Sequence, residues 1–365
     1  MEAAGRPLLE RLRSDPHSTR ALIRLLHRRY SRLFWTFHSV WALLSGGIVL
    51  VLSHNRYGYL PWVVLFLALT WASTLFFSRF AIGSGSRRAQ LAKGVVSYVT
   101  RIMYQETLFF LLPFYFNSTT FPSWNCFYVI ALGALAVLSC FDLVFDRLLR
   151  SSRAFSLAFF GIVTYSALQF FLPLLFHVRV HNGAYLAAAV SFFAAVPLAF
   201  SGRDLREGKR WAAIVVALAV IIGVLKVARV VVPPVPLRLW DLHFGPDLDL
   251  RTVRMSREFP ATVHQGDLDN GRLYVIAVVF SPGKLPVDVQ LHFFRDGHLL
   301  RVSRVVELIA HDRGFRVYDV LRARSGAGFT PGKYEVEVWT GEGQLVGRRS
   351  VRVLAGRAST SSSER

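Results

Sequence analysis

The sequence predicts an α-helical multi-pass membrane bundle of seven spans followed by an all-β, immunoglobulin-like sandwich. Three observations carry that expectation. Seven apolar stretches fill the first 232 residues, each near the roughly 20 residues that a helix rising about 1.5 Å per residue needs to cross a bilayer core. After Pro233-Pro234 the apolar runs shorten to strand length and stay short to the C-terminus. The loops between the long runs alternate sharply in arginine content. With 53% hydrophobic residues and a mean hydropathy of +0.39, the 365-residue chain is too apolar for an ordinary soluble domain.

Residues 1–33 lead into the first span and form a basic cytoplasmic segment with eight arginines. Within it, 18–33 reads as an amphipathic helix. Ser18 can cap it, Leu22, Leu25 and Leu26 form an apolar stripe, and Arg20, Arg24, His27 and Arg28 crowd the other side. Such a helix lies on anionic lipid headgroups or binds a regulatory partner. The bundle, 34–232, divides into spans at 34–53, 60–79, 97–116, 126–145, 155–176, 183–200 and 211–232. Runs this long and unalternating are helices, since hydrocarbon offers the backbone no outside partner. No cleavable signal peptide is expected, because the first span is long enough to stay as an anchor.

The loops set the orientation. Counted over the segments on alternate sides, Lys and Arg number 19 on the N-terminal side and two, Arg56 and Arg179, on the other. The positive-inside rule then places the N-terminus in the cytoplasm and the C-terminal domain outside. In a bacterium, that is the periplasmic face of the inner membrane. Lys226 and Arg229, near the outer end of the seventh span, run against the tally and are expected to snorkel to the headgroups. The net charge of +20 therefore belongs to the membrane half: residues 241–355 hold 16 Lys+Arg against 14 Asp+Glu, which argues against nucleic acid as a partner. Arginine outnumbers lysine 38 to 5, a skew of GC-rich bacterial genomes. The two cysteines, Cys126 and Cys140, share the fourth span about 21 Å apart and cannot pair within one chain.

The third span breaks the pattern. Its clean apolar run, 107–116, has only 10 residues, so 98–106 must enter the membrane as well. That brings Arg101 near the cytoplasmic edge and Glu106 near mid-depth, with Tyr104 and Gln105 beside it. A carboxylate at mid-span costs about 2.5–3.5 kcal/mol on insertion scales and therefore faces protein or water. Glu106 lies about 140° around the helix from Arg101, a poor direct partner; Thr164, Tyr165 and Lys226 are the other candidates. The site is either a proton or substrate site or an interhelical hydrogen bond that fixes packing. His177 and His181 have helical metal spacing but flank Arg179 in a short loop, so no metal is expected. No P-loop, dinucleotide fingerprint, zincin motif or nucleophile elbow occurs, so neither catalysis nor a cofactor is expected.

A linker, 233–249, precedes the sandwich, 250–355. Strands are expected at 250–256, 272–280, 287–295, 298–308, 315–323, 333–340 and 345–354. Residues 287–295 alternate Val287, Val289, Leu291 and Phe293 with polar neighbours, and Asp296-Gly297 makes a tight hairpin turn. Seven strands with short turns predict an antiparallel sandwich. The Ser/Arg tail, 356–365, is expected to be disordered.

The motifs Gly271-Arg272-Leu273-Tyr274, His292-Phe293-Phe294-x-x-Gly297, Gly314-Phe315-Arg316-x-Tyr318 and Pro331-Gly332-Lys333-Tyr334-x-Val336-x-Val338 resemble an uncharacterised bacterial family of unknown function. In it a β domain of this kind follows a multi-pass membrane half with a segment similar to Arg101-Ile102-Met103-Tyr104-Gln105-Glu106. The resemblance implies no activity. Phe294 stands where that pattern commonly has tryptophan. His292, Arg316 and Tyr318 are the candidate outward binding patch.

Three functions compete. The first is a non-enzymatic inner-membrane protein whose sandwich binds an unidentified periplasmic protein, peptide or glycan. The second is a transporter or intramembrane enzyme working through Arg101, Tyr104 and Glu106. The third is an envelope sensor passing an outward signal to the basic cytoplasmic helix.

Overall fold

A computed structural model of the chain describes residues 87–200, 206–268, 270–281, 285–308, 314–323 and 328–356, with single positions at 40, 41, 44, 48, 62, 65 and 69 before them. The basic segment 1–33 and residues 357–365 of the tail lie outside the described residues. So do the first two expected spans, apart from those single positions, which are helical and exposed.

Numbered from the first described helix, the helical half comprises α1 (Arg87–Asn117), α2 (Cys126–Cys140), α3 (Asp142–Ser151), α4 (Arg153–Phe176), α5 (Val180–Ala199) and α6 (Gly208–Val227). Three described helices are long and apolar enough to cross a membrane: Arg153–Phe176, Val180–Ala199 and Gly208–Val231, the last including the 3-10 turn that follows α6. In the final one only 6% of the apolar window is buried within the structure. Its length and exposed apolar surface make it a candidate membrane span and imply contact with a bilayer.

The expected fourth span, 126–145, is not one helix. It breaks at Phe141, whose backbone leaves the helical region (φ −90°, ψ 76°), and α3 begins at Asp142. Fifteen residues in α2 cover only about 22 Å, and α3 carries Asp142, Asp146, Arg147 and Arg150, a composition suited to a wet interface. Both cysteines are free, and the Cys140 thiol donates to the Ala136 carbonyl.

Phenylalanine fills the bundle core. Phe110 and Phe114 of α1 pack on Phe170 of α4, the closer pair with centroids 4.6 Å apart, and Phe145 of α3 lies edge-to-face on Phe159 of α4. These rings are almost wholly buried. Helices that meet through large aromatic faces rather than small residues gain dispersion and edge-to-face electrostatics.

The C-terminal half is a β domain of mixed pairing. Its strands are β1 (Arg238–Gly245), β2 (Thr262–His264), β3 (Arg272–Phe280), β4 (Val287–Arg295), β5 (His298–Val302), β6 (Val306–Leu308), β7 (Phe315–Arg322), β8 (Gly332–Thr340) and β9 (Leu345–Leu354). One sheet runs β1-β3-β7. The other runs β2-β9-β8-β4-β5, with β6 also on β4. Their inner faces share one core: Leu242, Val275, Ala277 and Val317 from the first sheet, and Leu291, Phe293, Val336 and Val351 from the second.

Several strands differ from expectation. The linker 233–249 contains β1. A bulge between Leu239 and Asp241 interrupts its alternation, and past the bulge Leu242 and Phe244 point inward. The expected strand 250–256 is a turn with one isolated bridge, Asp249 to Arg254. The Asp249 carboxylate accepts from the Arg251 backbone N–H and the Thr252 hydroxyl, a local closure that competes with strand pairing. The expected strand 298–308 is split, because Ser303 bonds Leu291 through both its backbone N–H and its side-chain oxygen. Pairing is not wholly antiparallel either, since β2 runs parallel to β9. At the hairpin, Asp296 (φ 48°) and Gly297 (φ 83°) both take positive φ, the pair of left-handed conformations a two-residue turn of matching twist demands.

Candidate functional site

Gln105 of α1 is buried at 5% exposure, while Tyr104 and Glu106 on either side are half-buried. Tyr104 lies edge-to-face on Phe159 and Phe160 of α4, with centroids at 5.7 and 6.3 Å. Tyr104 is therefore part of the α1–α4 packing surface. Arg101 lies in the same helix, but its side chain is outside the described residues. Of the other partners considered for Glu106, Thr164 is buried on α4 and Lys226 is exposed on α6.

A second polar cluster, missed from the sequence, lies further along α1. The fully buried Tyr115 donates its hydroxyl to the Ser166 carbonyl (2.9 Å) and to Gln169 Oε1 (3.1 Å). Tyr128 of α2 meets the Ser166 hydroxyl at 2.7 Å, and Gln169 Nε2 donates to the Pro233 carbonyl at 3.3 Å. Three helices and the chain leading into β1 thus share one buried network. The available signal was Gln169 itself, the one carboxamide in the span 155–176.

This end of the bundle is where the β domain sits. Asn125 Nδ2 donates to the Leu345 carbonyl (3.2 Å), and Gln344 Nε2 to the Val232 carbonyl (2.9 Å). Arg229 donates to the carbonyl of Glu342, with the Glu342 carboxylate at 3.3 Å and the Tyr185 hydroxyl at 3.5 Å. His181 of α5 meets the same carboxylate at 3.6 Å, Arg179 reaches Asp288 at 3.7 Å, and Arg348 donates to the Pro122 carbonyl. Arg229 therefore does not snorkel free, as the sequence suggested; a carboxylate of the β domain holds it. His177 caps α4 in a left-handed conformation (φ 54°), separate from the His181–Glu342 contact. No group of three or more metal-ligating side chains occurs among the described residues.

The expected outward patch is divided. His292 lies on β4 between inward-facing Leu291 and Phe293, so it points from the outer face of the larger sheet. Its ring stacks on Trp339 (5.5 Å, 21°). Burial pushes its pKa below 6.5 while neighbouring Glu337 pulls the other way, and its Nε2 is buried without a hydrogen-bond partner. Trp339 Nε1 donates to Glu337 Oε2 at 2.8 Å, and Arg348 stands 3.5 Å from Glu337 and 3.4 Å from Glu335. Arg316 and Tyr318 lie on β7 either side of buried Val317, on the outer face of the three-stranded sheet. The two sheets' inner faces meet, so His292 and the Arg316–Tyr318 pair face opposite ways.

Arg316 instead helps line an open cleft of about 250 Å³ with His243, Arg254, Met255, Glu258 and Val278. Arg316 Nη1 donates to the Val253 carbonyl (3.0 Å), and His243 Nδ1 meets Glu258 at 2.8 Å. His243 went unnoticed because its strand was read as linker; the alternation of Asp241 and His243 with Leu242 and Phe244 was the signal.

Comparison with protein families gives one match. The family described as "Family of unknown function (DUF5924)" matches residues 16–275. The match takes in the Arg101–Glu106 segment and Gly271–Tyr274, and ends before His292. No curated protein matches the chain.

Proposed function

We propose a function for this chain, which belongs to the DUF5924 family of unknown function, from one observation: its β domain is clamped to one end of a helical membrane domain, leaving Arg316, Tyr318 and Arg322 of β7 exposed on the outer face of the three-stranded sheet beside a cleft. In this reading it is a non-enzymatic protein of a bacterial inner membrane, with its N-terminus in the cytoplasm. Its immunoglobulin-like β domain is held in the periplasm as a binding module for a protein, peptide or glycan. The 19-to-2 distribution of basic residues supports the orientation. Anchoring at several points fixes the direction in which the open face is presented, which lowers the ordering cost of capture.

The test is a photo-crosslinking residue at Tyr318 in the full-length protein in living cells. A discrete adduct that a probe at exposed Leu299 on the other sheet does not give supports the reading; no adduct at Tyr318 overturns it.

A second reading, an envelope sensor, is favoured by the network from Tyr115 through Gln169 to the Pro233 carbonyl. A displacement of the β domain would be felt directly by α1, α2 and α4. It predicts that Gln169→Leu alters a cellular response while protein levels hold.

A further inference from the structure

We propose that the cleft on the outer face of the three-stranded sheet binds the terminal carboxylate of a peptide whose last side chain is aliphatic. The proposal rests on the reading of the β domain as a binding module and names the ligand of that module.

Charge comes first. Arg254 and Arg316 both line the cleft, and neither has an acidic partner among the described residues. Arg316 commits only Nη1 to the protein, to the Val253 and Thr252 carbonyls, which orients the guanidinium and leaves Nε and Nη2 to donate elsewhere. The one carboxylate in the wall, Glu258, is held by His243 at 2.8 Å, and His243 also lies 3.3 Å from Asp241, which Arg349 pairs at 2.6 Å. The balance of the lining is cationic. Guanidinium forks match carboxylates in geometry and make charge-assisted bonds about twice as strong as neutral ones.

Shape and polarity narrow the anion. Half-buried Val278 and Met255 supply apolar surface beside the arginines, over the buried Ile276. A fully hydrated phosphate gains nothing from such a floor, whereas an aliphatic side chain next to a carboxylate buries against it. A volume of about 250 Å³ suits one terminal residue rather than a folded partner.

The wall is also built in advance. A Cβ at Gly245 would come within 2.6 Å of the Arg257 carbonyl and 2.7 Å of Met255 Sδ, so the covering loop lies directly on β1. Ser256 is tied to the Asp247 carboxylate, and Asp249 closes the turn before Val253. Val253 itself holds φ +49°, costly for a β-branched residue and maintained only where the surroundings enforce it. Its carbonyl is the one that Arg316 takes.

The experiment titrates N-acetylvaline, N-acetylvalinamide and inorganic phosphate onto full-length protein in nanodiscs, read by ligand-observed NMR. N-acetylvaline is expected to bind at least about tenfold more tightly than the amide or phosphate. Arg254→Gln and Arg316→Gln should each weaken it about tenfold, with thermal unfolding unchanged for Arg254→Gln, whose side chain is exposed. Equal binding of the amide, equal binding of phosphate, or indifference to both substitutions overturns the proposal. An adduct at Tyr318 that survives both substitutions would sink this site while sparing the binding-module reading; a wild-type protein that neither binds N-acetylvaline nor gives the Tyr318 adduct sinks the two together.

Discussion

Arg229, in the 3-10 turn that ends the helical half, donates to the backbone carbonyl of Glu342 and lies 3.3 Å from its carboxylate, across 113 residues of chain. The Glu342 turn joins β8 to β9, so the contact ties the last helix to the centre of the larger sheet. The Arg229 side chain is 21% exposed and that of Glu342 46%, so solvent screens the pair and its worth is modest.

Glu342→Gln should therefore lower the Tm of the full-length protein by only about 1–4 °C, equivalent to about 0.5–1 kcal/mol. Arg229→Gln should do the same, and the double substitution should cost less than the sum. Strict additivity, measured by scanning fluorimetry, would show that the two side chains do not interact.

Gln169 is wholly buried and joins Tyr115 to the Pro233 carbonyl. Gln169→Leu removes both bonds and should cost about 1–3 kcal/mol. Tyr115→Phe should be milder, because the Ser166 carbonyl it leaves lies within a helix and Gln169, though its Oε1 loses this donor, keeps its bond to the Pro233 carbonyl. If thermal unfolding ranks the two in the opposite order, the network is not centred on Gln169.

His292 adds a pH dependence. Its folded pKa is held below 6.5, so between the folded and unfolded values the unfolded chain binds the extra proton. The stability it contributes is fully present above about pH 6.5 and is lost as the pH falls through the folded value. His292→Gln should flatten part of the Tm difference between pH 7.5 and 5.5. An unchanged difference would assign the loss to other groups.

The hairpin turn gives a local test. Gly297 holds φ 83°, and nothing lies within 4 Å of where its Cβ would stand. Gly297→Ala should thus cost about 1 kcal/mol through backbone strain alone. Asp296→Asn should be near neutral, since Asn-Gly suits the turn and Asn can still accept from the Lys333 N–H, now at 2.8 Å. Equal costs for the two would argue against a positive-φ pair.

How much of this was legible in the sequence follows from periodicity. Strands β3 and β4 fall at the expected residues because β3 is a continuous apolar run and β4 alternates without interruption. β1 was hidden because the bulge at Trp240 breaks its alternation. Phe141 ends α2 inside an apolar run that gives no warning of a break. Glu106 stood out by its charge. Tyr115 and Gln169, equally polar in function but neutral, did not. Pairing across sheets is a property of topology, so nothing in the spacing of His292 and Arg316 could show that they face apart.

The central claim is that the β domain sits on the side of the membrane opposite the basic N-terminus. The direct measurement is a pair of fusions after Arg365, alkaline phosphatase and green fluorescent protein, expressed in intact bacterial cells. High phosphatase activity with a dark fluorescent fusion is the predicted result. A bright fluorescent fusion with inactive phosphatase would place the domain in the cytoplasm and contradict the account.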